Sequence, residues 1–264
     1  MALIPHLKKA GYRYVMVDSE YVDPIDEMSW QELRYRPHVC EYEGCEIVIV
    51  VRDRDLSNAQ LSGMEYGWFA HEVAERTKWC DFPPLVATAT DGDNGGWFRN
   101  VNPQANFWTY FYRTMLDEIR AGNSPIRPTF INEYLDRFGA HGRVTVRRGA
   151  WSTDEHHGWN FHQWMGSETQ RSAMGRVHEL SGRYHGLADA AKARGGDGEI
   201  ARVLGQAHWH LLRAETSCNF YWGEAWIYKA HDDLDSVAWH LGEAEAMLER
   251  LPPPAREVDA PAGS

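Results

Sequence analysis

The sequence has no apolar run long enough to span a membrane, and its first residues lack the pattern of a secretory signal. It has only four cysteines, and no two of them form a C-x-x-C pair, which disfavours a zinc ribbon or a thioredoxin-type motif. Basic residues number 27 against 38 acidic ones, a formal charge of -11 that would repel a nucleic-acid backbone. We therefore expect a cytoplasmic protein with reduced thiols and with neither a nucleic-acid nor a membrane partner.

Aromatic residues, in contrast, are abundant, with twelve Trp and twelve Tyr among 264 residues. Many of them stand beside Gly, Asn, His or acidic residues and not inside apolar runs. About half are expected to fill the core, and the others are predicted to form a binding surface. The length allows one large domain or one domain with a helical appendage.

Short β-rich segments that are almost continuously apolar and end in a charged residue are typical of parallel strands buried on both faces. Three such segments occur, at 12–18, 45–53 and 85–91, and a fourth candidate strand lies at 142–151. Helical patterns lie between and after them, at 61–79 and 106–122.

Strands that alternate with helices predict βα units, in which the site lies at the carboxyl ends of the strands. Asp18, Arg52, Asp53 and Asp91 are therefore expected to meet on one edge of the sheet. Four parallel strands cannot close a barrel, so the chain is expected to be part of a larger assembly.

The remainder of the chain predicts a helical bundle. Helices are expected at 167–193, 197–217 and 232–251, the first of them with Ser167 and Gln170 in a capping box. The proline-containing end, 252–264, is expected to be a disordered tail. The architecture is thus α/β: a βα layer or barrel over 1–165, followed by a bundle over 166–251.

Four segments together resemble glycoside hydrolase family 57. "TATDGDNGGWF" resembles the fourth motif of the family, in which Asp-x-Glu at a strand end precedes an aromatic and glycine segment. "MALIPHLKKAGYRYVMVDSEYV" resembles the segment after the third motif, and "GAWSTDEHHGWNFHQW" resembles the fifth. "HWHLLRAETSCNFYWGEAW" resembles an aromatic-rich helix of the C-terminal bundle. The resemblance covers Met1 to about Arg250 and implies a partial (β/α)7-type barrel of parallel strands.

The resemblance also implies a function: a retaining glycosidase or glucanotransferase that acts on α-glucan oligosaccharides or polysaccharides without a cofactor. Such cleavage needs two carboxyl groups about 5 Å apart. Asp91 corresponds to the general acid/base, and the family's nucleophilic Glu would precede Met1. We therefore expect that a missing N-terminal half or a second subunit supplies the nucleophile. The alternatives are a non-catalytic glycan-binding or partner subunit and a metal-dependent polysaccharide deacetylase.

Nine further side chains are predicted to bind substrate by hydrogen bonds or by stacking on sugar rings. They are Asp18, Arg52, Asp93, Trp97, Trp151, Trp159, Trp164, Glu215 and Trp222.

Each assignment has a structural alternative. Asp91 could have no role other than to cap the following turn. For Arg52 and Asp53 the alternative is a structural ion pair. The tryptophans could pack in a core. Glu215 shares a helical face with Leu211 and could form a buried hydrogen bond.

Closely spaced histidines, at 156, 157 and 162 and at 208 and 210, raise the question of a metal site. Adjacent residues on a strand point in opposite directions, and residues two apart on a helix do not share a face. Neither spacing forms an easy pair of ligands, so no metal site is predicted.

Overall fold

The fold is given by a computed structural model that describes residues 1–92, 106–150, 160–196 and 198–251. The chain divides into two compact units, Met1–Trp151 and Ser152–Ser264. The expected tail at 252–264 lies outside the described residues.

The first unit contains short strands and helices in mixed order. Its strands are β1 (Tyr14–Asp18), β2 (Val22–Pro24), β3 (His38–Tyr42), β4 (Cys45–Arg52) and β5 (Val144–Val146). Its α-helices are α1 (Ile4–Lys9), α2 (Trp30–Tyr35), α3 (Arg54–Leu61), α4 (Tyr66–Thr77), α5 (Arg113–Ala121) and α6 (Ile131–Phe138). A 3-10 turn covers Ser19–Tyr21, and a π-helical turn covers Phe107–Tyr112.

Three strands form the main sheet of this unit in the order β1-β4-β3. β1 and β4 run parallel, with Asp18 opposite Arg52, as the sequence predicts. β3 is antiparallel to β4 and joins it through Glu43 and Gly44, whose φ angles are 52° and 75°. A two-residue turn with both φ angles positive matches the twist of a hairpin. The antiparallel β3 was not predicted.

The predicted third parallel strand, 85–91, is wrong in extent. It is reduced to one parallel bridge between Arg52 and Ala87. β1 pairs with β4 on one side, and β3 pairs with residues 45–49 of β4 on the other. Residues 50–52 of β4 are left on that side, and of these only Arg52 pairs with the 85–91 segment.

The predicted fourth parallel strand, 142–151, is also wrong in extent: among the described residues its parallel pairing is one bridge, between Arg143 and Val39 of β3. The central residues of the segment form β5, which pairs antiparallel with β2 in a separate two-stranded sheet. Val144 nevertheless lies in the core, against Val22 and the apolar residues of β3 and β4. Burial gave the segment its strand-like pattern, but its partner is the chain that follows β1. The described residues therefore form no parallel barrel.

Helices flank the strands of the first unit. The helical pattern predicted over 61–79 corresponds to α4, and α3, which ends at Leu61, was not predicted. Asp53 caps the start of α3 by accepting a hydrogen bond from the Leu56 N–H group at 2.9 Å. The pattern at 106–122 begins as the π-helical turn and ends at Gly122, whose φ of 75° is left-handed.

The second unit is helical throughout its described residues. Its helices are α7 (His162–Met165), α8 (Glu168–Ala193), α9 (Glu199–Ala214), α10 (Cys218–Tyr221) and α11 (Ile227–Leu248), with a 3-10 turn at Glu224–Trp226. The three predicted helices are confirmed as α8, α9 and α11, although α11 begins five residues earlier than expected. The capping box of Ser167 and Gln170 is also confirmed.

The long helices of the second unit share one apolar core. α11 packs against both α8 and α9, and Leu204, Leu211, Leu234 and Leu241 are among the residues buried between them. None of the helices among the described residues is both long and apolar enough to cross a bilayer.

Candidate active site

The carboxyl ends of β1 and β4 form a nearly buried charge cluster. The Asp18 carboxylate accepts hydrogen bonds from Arg52 Nη1 at 2.6 Å and from Arg54 Nε at 2.8 Å. The side chains of Asp18 and Arg52 are only 11% and 6% exposed. Burial lowers the pKa of Arg52, and the Asp18 carboxylate opposes that effect. The prediction that Asp18 and Arg52 lie together at the strand ends is therefore confirmed.

The same cluster holds the backbone that leads to Asp91. Arg52 Nε donates to the Ala89 carbonyl at 2.8 Å, and the Ala89 N–H group donates to Ser57 Oγ at 3.2 Å. The Asp53 N–H group donates to the Ala87 carbonyl at 2.8 Å. The segment before Asp91 is thus attached to the end of β4 and to the first turn of α3.

Asp91 lies two residues beyond Ala89 and is exposed to solvent. Its expected neighbours Asp93 and Trp97 lie outside the described residues, as do Trp151 and Trp159.

Asp53 does not belong with the other strand-end charges. Its carboxylate is buried and accepts a hydrogen bond from the Tyr35 hydroxyl at 3.1 Å, and Arg76 Nη1 lies 3.3 Å away. Burial, and after it the Asp53 carboxylate, raise the pKa of Tyr35, so this hydroxyl stays protonated and donates. Arg52 and Asp53 both enter ion pairs, as their structural alternative has it, but with different partners: Arg52 pairs with Asp18, and Asp53 pairs with Arg76.

A second backbone segment is fixed beside Asp18. The Tyr21 hydroxyl donates to the Ala150 carbonyl at 2.8 Å, and the Tyr21 ring lies against Gly149. The guanidinium of Arg54, which binds Asp18, lies 5.9 Å from the centroid of the Tyr21 ring. Ala150 is the last described residue before Trp151. The charge cluster therefore contacts the 87–91 segment through Arg52, and through Arg54 it contacts Tyr21, which holds the 147–150 segment.

The second unit carries a chain of aromatic contacts that includes two predicted binding residues. Trp164 lies 5.4 Å from Tyr221 between ring centroids, and its indole N–H donates to Ser217 Oγ at 2.7 Å. Tyr221 contacts Trp222, which is 56% exposed, and Trp222 lies 6.3 Å from Trp226. Trp164 and Trp222 therefore belong to one partly exposed aromatic group.

Glu215 lies apart from the apolar face to which its spacing assigned it. It is the C-cap residue of α9 and is exposed, whereas Leu211 is buried. Because the helix ends there, the periodicity that aligned Glu215 with Leu211 no longer applies. A buried hydrogen bond of Glu215 is excluded by this exposure.

The sequence patterns do not single out several residues that contact the strand ends. Arg54 and Tyr21 sit close to predicted residues, and the strand-end pattern could have included them. Ser57, Tyr35 and Arg76 carry no local signal, since their roles depend on contacts that folding creates. Among the residues that the structure describes, no group of three His, Cys, Asp or Glu side chains could hold a metal ion.

An α/β unit with charged strand ends, together with a helical unit that exposes aromatic rings, fits a carbohydrate-active class of protein. The model of glycosyl hydrolase family 57 matches residues 1–147, and the chain belongs to that family. No curated protein matches it at a significant level.

Two solved structures share its fold. An exo-type maltose-forming amylase from Pyrococcus sp. ST04 is 14% identical, with a TM-score of 0.59 over 89% of this chain and 51% of that one. A 4-alpha-glucanotransferase from Thermococcus litoralis is 19% identical, with a TM-score of 0.54 over 93% of this chain and 40% of that one. The chain thus spans about half or less of the length of these enzymes.

Proposed function

We propose that this protein acts in the cleavage or transfer of glycosidic bonds in α-glucans, with Asp91 as the general acid/base. The observation that carries the proposal is the attachment of the Asp91 segment to the carboxyl ends of two parallel strands, through Arg52 Nε and the Ala89 carbonyl at 2.8 Å. Family membership supports the substrate class, and the two structural neighbours are named for reactions on α-glucans. Within this proposal, 14–18, 45–52 and 85–91 are the chain's share of a (β/α)-type barrel.

Retaining chemistry requires a second carboxylate that attacks the anomeric carbon. In the family the nucleophilic Glu belongs to a Trp-x-Pro-Glu stretch, and no such stretch occurs in the 264 residues. We propose that the nucleophile comes from a further segment or subunit, and that the chain by itself turns over maltooligosaccharides slowly or not at all.

An external nucleophile can test the role of Asp91 in the chain as it stands. With phenyl α-maltoside and azide, azide attacks the anomeric carbon, the bond to the phenolic oxygen breaks, and Asp91 gives that oxygen its proton. With α-maltosyl fluoride the leaving fluoride needs little protonation, so the acid matters less.

Asp91→Asn is expected to lower azide-dependent release of phenol by roughly 100-fold or more, and to affect the fluoride substrate far less. Asp81→Asn changes another exposed aspartate of the same unit and is expected to change neither rate. Equal losses on both substrates in Asp91→Asn would contradict the acid/base assignment.

A non-catalytic glycan-binding role is the second candidate, and the exposed rings of Trp222 and Trp226 favour it. Flat aromatic rings of this kind stack on the apolar faces of sugars. Maltoheptaose binding measured by titration calorimetry, with no azide adduct from either substrate, would establish this role in place of catalysis. Trp222→Ala is then expected to weaken binding, whereas Trp209→Ala, at an exposed tryptophan of α9 outside the aromatic group, serves as the control.

A further inference from the structure

We infer that Ser57 and Arg52 are positioning residues that fix the direction in which the chain delivers Asp91, and that Arg52 acts through the backbone and not on the sugar. This inference rests on the proposed function, because it concerns the same carboxylate. Two side chains bind Ala89: Ser57 accepts a hydrogen bond from its N–H group, and Arg52 donates one to its carbonyl.

Ser57 is completely buried, and its hydroxyl has two partners. It donates to the Asp53 carbonyl at 2.6 Å and accepts from the Ala89 N–H group at 3.2 Å. The Asp53 carbonyl also accepts the Ser57 backbone N–H group at 3.0 Å, so it keeps a donor if the hydroxyl is lost. Replacement of Ser57 by Ala therefore removes the partner of one backbone group of the Asp91 segment.

Arg52 holds the other end of the same residue. Its Nε donates to the Ala89 carbonyl while its Nη1 binds Asp18. The guanidinium plane is rigid, so the Asp18 contact fixes the orientation of the Nε–H group as well. A side chain that is only 6% exposed and so engaged has little surface left for a sugar hydroxyl.

These contacts lie close enough to Asp91 along the chain to affect its position. Among the described residues, one parallel bridge, at Ala87, joins this segment to the sheet. Asp91 lies two residues beyond Ala89, whose N–H and carbonyl groups are bound by Ser57 and Arg52. Unpaired polar backbone is costly where it is shielded from water. When one of the two hydrogen bonds to Ala89 is lost, residues 89–91 are therefore expected to move until the unpaired backbone group finds another partner.

The test uses the full chain and Ser57→Ala. Amide exchange measured by NMR is expected to become about tenfold or more faster at Ala89, and the order parameters of Thr90 and Asp91 are expected to fall. The matched control is Thr77→Val, which removes another hydroxyl that donates to a carbonyl four residues earlier, at 2.7 Å from Val73, without contact to the Asp91 segment.

The azide assay separates positioning from a merely structural role. Ser57→Ala is expected to lower kcat on phenyl α-maltoside with KM nearly unchanged, and to have a much smaller effect once Asp91 is Asn. Arg52→Lys keeps a positive charge beside Asp18 but cannot serve both partners, and it is expected to act in the same direction. It also provides the test if Ser57→Ala fails to fold.

The outcomes distinguish the two proposals. Unchanged turnover in Asp91→Asn would refute the proposed function, whereas a large loss there with unchanged exchange and unchanged kcat in Ser57→Ala would refute the positioning role alone. If no turnover is detected, unchanged exchange at Ala89 in Ser57→Ala overturns the inference, and faster exchange confined to 89–91 supports it.

Discussion

Replacement of Asp53 by Ala should destabilise the first unit strongly, although Asp53 takes no part in the proposed chemistry. Its carboxylate is fully buried and joins three elements: it caps α3 at the Leu56 N–H group, accepts from Tyr35 in α2 and pairs with Arg76 in α4. Removal of the carboxylate therefore affects the packing of all three helices against the end of β4.

The contacts set the expected magnitude. Loss of an N-cap costs about 1 kcal/mol. The Tyr35 hydroxyl, on a residue that is 0% exposed, would lose its acceptor at a cost of about 1–3 kcal/mol. Arg76 is 23% exposed and also lies near Glu72, at 3.5 Å, so its contribution is small. We expect Asp53→Ala to lower the free energy of unfolding by about 3 kcal/mol.

Two milder variants divide this effect. Asp53→Asn keeps an oxygen for the cap and loses the charge, with an expected cost of about 1–2 kcal/mol. Tyr35→Phe should cost about 1 kcal/mol in the natural chain and less when Asp53 is already Ala, since the hydroxyl has then lost its acceptor and keeps only its contact with Arg76.

Urea unfolding gives the free energies, and amide exchange at the buried Val50 reports on the first unit separately. Asp55→Ala is the matched control: Asp55 also lies near Arg76, at 3.6 Å, but it is 65% exposed, so a change within about 0.5 kcal/mol is expected. A loss below about 1 kcal/mol in Asp53→Ala, or equal losses in both variants, would refute the reasoning.

Two further changes test packing and charge. In Gly149→Ala the new methyl group would meet ring atoms of Tyr21 within 2.6 Å, so a loss of about 1–3 kcal/mol is expected in thermal unfolding, whereas Gly175→Ala, within α8 and with open space around it, should stabilise by up to about 1 kcal/mol. The Arg183 guanidinium lowers the pKa of Glu245 below its usual 4.5. Because that pair is partly exposed, Glu245→Gln should cost at most about 1 kcal/mol at neutral pH. In urea unfolding the difference should shrink once the pH falls below the usual 4.5 and should vanish below the lowered pKa of the folded state, where the carboxylate is protonated in both states.

The sequence carried enough information to predict the two parallel strands, β1 and β4, and the charges at their ends. The apolar runs into Asp18 and Arg52 can be buried only in a sheet, and their polar ends then lie side by side. The hairpin of β3 and β4 also had a signal in Gly44, because a glycine between two β-rich segments favours the positive φ that a two-residue turn needs. The expectation of a purely parallel sheet around 45–53 leaves that signal out.

Ser57 had no such signal. A serine in the first turn of a helix is common, and only the fold brings Ala89, 32 residues later, within 3.2 Å of its hydroxyl. The separation of Asp53 from Arg52 was likewise hidden, since neighbouring strand-end residues differ in role only through the partners that α2 and α4 supply.

The hydrogen bonds that hold the segment before Asp91 are related to the way in which β3 pairs with β4. β3 pairs with β4 up to Ile49, and of the three residues of β4 beyond that point only Arg52 forms a bridge with the segment before Asp91. The backbone groups that a longer strand pairing would satisfy still need partners. Arg52, Asp53 and Ser57 provide them in turn, to the Ala89 carbonyl, the Ala87 carbonyl and the Ala89 N–H group. The stretch "VRDRDLS" thus supplies the 87–91 segment with hydrogen bonds that a neighbouring strand would otherwise supply, and Arg52 and Ser57 are buried although neither needs to touch a substrate.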